Sequence, residues 1–170
     1  MSDVAADPQV PAKHVREALT TLIRELLHGP AESGAFVLNR GDRGILASLD
    51  ALPADAASAR PGGRSSVAAH VEHLRYGLEL RNRWARGDDP WATANWAASW
   101  AQQQVSPEEW HALRAGLERE ARTWLASSQD PRVWNSLDLT EAISSIVHLA
   151  YHLGAIRQIA QPASGPPAND

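Results

Sequence analysis

Apolar residues recur every three or four positions along four long segments of the chain, which is the spacing of an amphipathic helix. In the first segment Leu19, Leu22 and Leu26 keep this spacing, and the pair Gly29 and Pro30 ends it, because glycine and proline terminate helices. The same pattern predicts four long helices in all, at residues 12–28, 66–86, 107–128 and 139–160.

Local signals support two of the predicted helix starts. Ser106, Pro107 and Glu109 form a capping-box sequence with proline at the first helical position. Asp138 and Glu141 mark the start of the fourth helix. These residues indicate the third and fourth helices independently of their apolar stripes.

The remaining segments carry no convincing strand pattern, because none alternates apolar and polar residues as a half-buried strand does. Residues 44–52 could add a short helix between the first two long ones. The Arg-Gly-Asp sequence at residues 40–42 is predicted to form a turn. The predicted fold class is therefore all-α, a four-helix bundle with a long connection between helices two and three.

That connection, residues 88–105, is rich in tryptophan. Five of the chain's seven tryptophans lie between Trp84 and Trp110, and three of these lie within the connection itself. A connection of this length is often functional or disordered, and tryptophans argue against disorder. Two interpretations stay open for Trp91, Trp96 and Trp100: they form the wall of a substrate pocket near the second helix, or they serve core and loop packing.

Composition indicates a single soluble domain at residues 12–160, with flexible ends at residues 1–11 and 161–170. The formal net charge is -4 and basic residues are interspersed with acidic ones, so no nucleic-acid-binding surface is indicated. No apolar run approaches the roughly 20 residues of a membrane span, and the N-terminus lacks a signal-peptide pattern. The predicted location is the cytoplasm.

Two histidines of the fourth predicted helix, His148 and His152, are four residues apart. This spacing places both imidazoles on one helical face, about 6 Å apart along the axis, where they could share a metal ion. Leu149 follows the first histidine, so the glutamate base of the zinc-protease signature is absent. The alternative interpretation is a pair of histidines that are merely solvated.

The second predicted helix offers a third imidazole. His73 lies near the middle of an inward stripe that also carries Tyr76, and His70 lies one turn earlier near the edge of that stripe. A lone histidine on an apolar face is usually a core residue, but the pair on the fourth helix favours a ligand role. We therefore predict His73 as the third ligand, with His70 as its competitor. Three neutral imidazoles leave one open position on a tetrahedral ion.

The fourth predicted helix carries apolar residues on two sides. Ile143, Ile146 and Leu153 share one face, nearly opposite the two histidines. In an ordinary amphipathic helix the histidine face would be exposed to water. Ala155 and Ile159 nevertheless continue that face with apolar side chains. The helix is therefore predicted to be buried on two sides, through contact with a second subunit in a homodimer.

Two stretches of the sequence together resemble the DinB/YfiT-like superfamily. They are Ser65-Ser-Val-Ala-Ala-His70-Val-Glu-His73-Leu and His148-Leu-Ala-Tyr-His152-Leu-Gly-Ala-Ile-Arg157-Gln158. The resemblance implies an up-down-down-up four-helix bundle over residues 12–160. It also implies a divalent metal ion held by His73, His148 and His152, and imidazole ligands suit zinc, nickel or iron.

The resemblance makes a metal-dependent thiol S-transferase that acts on a small-molecule substrate the leading functional hypothesis. Because the chain has no cysteine, the sulfur would come from an external low-molecular-weight thiol. The candidate substrate-binding residues are Tyr76, Trp91, Trp96 and Trp100. Hydrolysis by metal-bound water is the alternative reaction. The competing class is a non-catalytic helical module, either metal-binding or metal-free.

Overall fold

The computed structural model describes residues 10–131 and 133–167, and within these ranges the regular structure is helical, without a β-strand. This confirms the all-α fold class, and each long helix lies within three residues of its predicted bounds. The α-helices of these ranges are α1 (Ala12–His28), α2 (Gly44–Asp50), α3 (Ala54–Ser58), α4 (Val67–Ala85), α5 (Pro107–Ser127) and α6 (Ser136–Ile159). None of these helices is both long and apolar enough to cross a membrane.

Side-chain caps set the starts of α5 and α6. The capping box of α5 is confirmed, because Ser106 Oγ accepts from the Glu109 amide at 3.2 Å and Glu109 Oε2 accepts from the Ser106 amide at 2.7 Å. Helix α6 begins at Ser136, three residues before its predicted start. Asn135 explains the difference, since its side-chain oxygen accepts from the Asp138 amide at 2.8 Å and caps the helix earlier.

The four long helices share one hydrophobic core. Helix α4 packs against α5 and α6, and α1 packs against α2, α5 and α6. Leu26, Leu74, Trp124 and Leu153 are almost fully buried, and each comes from a different long helix. Burying a side chain of this size contributes roughly 1.5–3 kcal/mol. Because Leu74 follows His73 directly, the packing that buries α4 also fixes the position of that histidine.

Helix α6 has one buried side rather than the two that its sequence predicted. Ile146 and Leu153 pack into the core of their own chain, and His152 is buried beside them. Ile143, predicted on the same face, is 48% exposed. The buried side of α6 is centred near Leu149. At 100° per residue, Ile143 lies about 120° around the helix axis from Leu149. The core of the same chain thus covers Ile146 and Leu153 of the surface that motivated the homodimer and leaves Ile143 exposed. The homodimer stays a prediction.

The Arg-Gly-Asp segment forms the predicted turn, but its acidic end is buried. The Asp42 carboxylate accepts hydrogen bonds from the Gly44 amide and from the Arg157 guanidinium of α6, each at 2.8 Å. Both side chains of this ion pair are largely shielded from water. The pair holds the end of α6 against the connection between α1 and α2.

The packed chain continues beyond residue 160, where the sequence predicted a tail to begin. A 3₁₀ turn at Gln161–Ala163 follows α6, and Ala163 lies in the core. Proline cannot continue an α-helix but fits the first positions of this turn. Of the flexible ends predicted at residues 1–11 and 161–170, residues 1–9 and 168–170 lie outside the described residues.

The same substitution is expected to lower the free energy of unfolding by different amounts at a buried and at an exposed position of α6. Ile146→Ala is expected to lower the free energy of unfolding by about 2–5 kcal/mol, because it leaves a cavity in the core. Ile143→Ala, three residues earlier in the same helix, is expected to change it by about 0.5 kcal/mol or less. Urea denaturation followed by circular dichroism measures both. Equal losses in the two variants would contradict the single buried side of α6.

Candidate metal centre

Four histidines meet where α4 packs against α6. His70 and His73 lie one turn apart on α4, and His148 and His152 lie one turn apart on α6. Residues at these spacings share a helical face. The ring centroid of His73 lies 5.1 Å from those of both His148 and His152. The two faces therefore point at each other.

The Nε2 atoms of three of these rings converge. Nε2 of His148 lies 3.2 Å from Nε2 of His73 and 2.9 Å from Nε2 of His152. Ligand atoms of all three residues lie within 4.8 Å of one another. Two nitrogens bound at 2.0–2.1 Å to a tetrahedral zinc ion would be about 3.3 Å apart. The spacing of these atoms thus fits a single ion of that size.

Burial keeps these imidazoles neutral. Desolvation, together with repulsion from His148 and His70, lowers the pKa of His73 to about 4. Desolvation, together with repulsion from the other three rings, lowers the pKa of His152 to about 3. Burial also lowers the pKa values of His148 and His70. Neutral imidazole is the form that binds a metal, so the rings are available as ligands at neutral pH.

Ser99 fixes which nitrogen of His73 faces the centre. Nδ1 of His73 lies 2.8 Å from Ser99 Oγ, and that hydroxyl donates its own proton to the Trp96 carbonyl at 2.7 Å. With its proton engaged, the hydroxyl accepts from His73, so Nδ1 of His73 carries the hydrogen. Nε2 then directs its lone pair toward His148 and His152.

His70 supports the centre rather than joining it. Its Nδ1 lies 2.8 Å from Nδ1 of His152. A hydrogen bond donated there by His152 leaves Nε2 of His152 free for a metal, which is how metal-bound histidines commonly use their second nitrogen. Within the described ranges the metal-competent group contains His73 and not His70, which separates the two candidates on α4.

The tryptophan connection folds back to this centre. It forms two short 3₁₀ turns, Trp91–Thr93 and Ala98–Trp100. The Trp100 ring stacks on the His73 ring with a centroid distance of 4.3 Å and an interplanar angle of 25°. The Trp96 ring lies 5.4 Å from the same histidine. The connection thus packs directly on His73.

An open cleft of about 820 Å³ lies beside the centre. His73 and His148 form part of its wall, and Trp91 and Trp96 also line it. His152 is only 2% exposed and does not reach the cleft. The side of the centre formed by His73 and His148 therefore opens on the cleft, where an external ligand could complete the coordination of an ion.

Tyr76 and Trp100 do not line this cleft, in contrast to the substrate-binding role that the sequence suggested. The Tyr76 hydroxyl accepts a hydrogen bond from the Asn95 amide at 2.8 Å, and its ring packs edge-on against Trp96 at 5.6 Å. Trp100 is occupied by its stacking on His73. The packing interpretation therefore applies to these two residues, whereas Trp91 and Trp96 take positions in the wall.

Sequence reasoning missed Ser99 and the α6 wall of the cleft. Ser99 lies in a connection, where no helical or strand period indicates the direction of a side chain. Ile143 and Val147 line the cleft, although Ile143 was assigned to a buried face. The signal for this wall was the spacing of Ile143, Val147 and Tyr151 on the helix that carries the histidine pair.

Comparisons with protein-family models, with curated proteins and with solved structures found no match to this chain. The family resemblance therefore rests on the two sequence stretches that carry it. What the centre can do has to be inferred from its own geometry.

Alanine in place of His73, His148 or His152 is expected to abolish stoichiometric zinc binding, because two imidazoles hold an ion far more weakly than three. His70→Ala is expected to keep one ion per chain with lower affinity, since it removes only the partner of His152. Elemental analysis after dialysis measures both, with circular dichroism to verify the helical fold. Full zinc content in His73→Ala together with loss in His70→Ala would identify His70 as the ligand.

Ser99→Ala is expected to weaken zinc binding by about 10–100-fold, because it removes the group that orients His73. Ser145→Ala is the control, since the Ser145 hydroxyl donates to the Glu141 carbonyl of its own helix at 2.9 Å. Competition with a chelating dye measures the affinities. Equal affinity in Ser99→Ala and the wild type would show that the hydrogen bond has no role in metal binding.

Proposed function

We propose that this protein is a divalent-metal-dependent enzyme of the DinB/YfiT-like type that transfers a small molecule onto the sulfur of an external thiol. The observation that supports this is a group of three convergent imidazoles beside an open cleft. Three protein ligands leave a position free on a tetrahedral ion, which is typical of catalytic sites, whereas structural sites have four. The nearby fourth imidazole, His70, pairs with His152 instead.

The donor set fits zinc, nickel or iron, because imidazole is a good ligand for each of them. When bound, such an ion lowers the pKa of a thiol at the open position, and the thiolate is the nucleophilic form. The chain's own residues position the reactants. His73, His148 and His152 hold the centre, Ser99 orients His73, and the cleft receives the second substrate.

The proposed transfer balances without a further reactant. The thiol loses its S–H proton, a carbon–sulfur bond forms, and the leaving group departs with the electron pair of the broken bond. The proton passes to the leaving group or to water in the open cleft. Because the chain contains no cysteine, no covalent intermediate with a protein thiol is involved.

The proposal also includes the order and direction of the long helices. We infer that α1, α4, α5 and α6 run in the up-down-down-up order of the family as one domain, in a cytoplasmic protein. Small thiols reach their highest concentrations in that reducing compartment. A homodimer is part of this expectation, but the centre does not require one, because all three imidazoles come from a single chain.

Turnover by metal-reconstituted protein tests the proposal. Metal-free protein is loaded with zinc, nickel or ferrous iron and mixed with a panel of small thiols and 1-chloro-2,4-dinitrobenzene. This electrophile is uncharged and forms a coloured thioether. Conjugation is expected to require both the metal and the thiol, and to be lost in His148→Ala. His111→Ala is the control, since His111 is exposed on α5, and it is expected to keep the wild-type rate.

Other outcomes have distinct meanings. Cleavage of an ester or amide that needs the metal but no thiol would assign hydrolysis by metal-bound water instead. Equal rates in the wild type and His148→Ala would contradict the enzyme proposal. A non-catalytic metal-binding module would then be the better description.

A further inference from the structure

We propose that the cleft beside the histidine centre binds an uncharged, largely apolar small molecule, and that Gly77 admits this molecule to the edge of His148. The reaction that follows rests on the proposed function. The binding step itself needs no metal, so the two can be tested separately.

Exposed apolar surface is concentrated at this cleft. Of nine large apolar side chains that are exposed in the described part of the chain, four line it. They are Trp96, Ile143, Val147 and Tyr151. Scattered exposed apolar residues are ordinary, whereas a contiguous patch marks a binding surface. Because removal of apolar surface from water is favourable, the cleft favours a ligand that is itself apolar.

The size and charge of the cleft agree with an uncharged small molecule. Its volume of about 820 Å³ lies within the range of roughly 300–1,000 Å³ typical of small-molecule sites. Its two charged residues, Arg81 and Glu141, have opposite signs. The Arg81 guanidinium lies over the Trp84 ring at 5.3 Å. The lining therefore offers no net charge that would select an ion.

Gly77 lies one turn after His73 on α4 and contributes to the wall of the cleft. Glycine is unfavourable in a helix interior. The backbone conformation does not require glycine here, because Gly77 is not among the glycines with positive φ. The space around this position explains the glycine better. A Cβ at this position would lie 3.6 Å from the Trp96 indole and 3.8 Å from Cε1 of His148. A methyl group would touch both rings, and a larger side chain would fill the route between them.

The test uses N-phenyl-1-naphthylamine, an uncharged probe that fluoresces in apolar surroundings and accepts excitation energy from tryptophan. Titration into full-length protein, metal-free and zinc-loaded, is expected to show saturable binding with energy transfer. Gly77→Leu is expected to weaken binding at least tenfold, and Gly77→Ala by less than twofold. Gly154→Leu is the matched control, because Gly154 is an exposed helical glycine whose Cβ would meet no atom within 4 Å. Its affinity is expected to equal that of the wild type.

Wild-type affinity in folded Gly77→Leu would overturn the role of Gly77. Should that variant fail to fold, Val147→Glu places a charge on an exposed part of the cleft wall and is expected to weaken binding at least fivefold. Unchanged affinity there would overturn the apolar site. Equal or tighter binding of the anionic probe 8-anilinonaphthalene-1-sulfonate would overturn the preference for an uncharged ligand.

Failure of this inference and failure of the proposed function give different results. Probe binding that depends on Gly77, without metal-dependent thiol transfer, would defeat the proposed function and support the apolar site. Thiol transfer with the same KM for the apolar electrophile in the wild type and Gly77→Leu would defeat the inference and leave the enzyme proposal in place. Zinc content is expected to be equal in all these variants, because none replaces a ligand.

Discussion

The close packing of α4 against α6 is the constraint on which the candidate centre depends, because it brings four imidazoles together away from water. Desolvation disfavours their protonated forms, and mutual repulsion disfavours them further. If the Nδ1 atoms of His73 and His152 carry hydrogens toward Ser99 and His70, both Nε2 lone pairs face His148. One proton on His148 can satisfy only one of them. A shared cation would satisfy all three nitrogens, and this favours a metal centre over histidines that are merely packed.

Ser99 connects that centre to the cleft. Its hydroxyl accepts from His73, the candidate ligand on α4, and donates to the carbonyl of Trp96, whose indole lines the cleft. Trp100, one residue further, stacks on His73 itself. The tryptophan connection therefore divides its residues between the wall of the cleft and packing on His73, and the substrate-binding role stays a prediction. The position of the wall and the orientation of the ligand depend on one another through a single hydroxyl group.

The sequence predicted the features that depend on local periodicity. It did not predict the features that depend on how the helices pack against one another. Helix positions followed from apolar spacing, and the capping box at Ser106 fixed one start to the residue. The four-residue spacing of the α6 histidines predicted their shared face. The sequence favoured His73 over its competitor His70 because His73 lies nearer the middle of the inward stripe. Periodicity alone left His70 open, since the rotation of α4 toward α6 decides which ring meets the α6 pair. The same applies to Ile143, since a rotation of the buried side by about one residue position moves it from core to cleft.

Stability does not explain the histidine cluster. A chain of 170 residues buries enough surface to fold without a metal or a disulfide, and its core includes Trp124, Leu26 and Leu117, all almost completely buried. Apolar side chains at the histidine positions would avoid the desolvation of polar groups that burial entails. The histidine cluster carries this desolvation cost, with its outer nitrogens held by Ser99 and His70 and one side open to an apolar cleft. The proposed metal ion, with a ligand that reaches it from the cleft, would account for this arrangement.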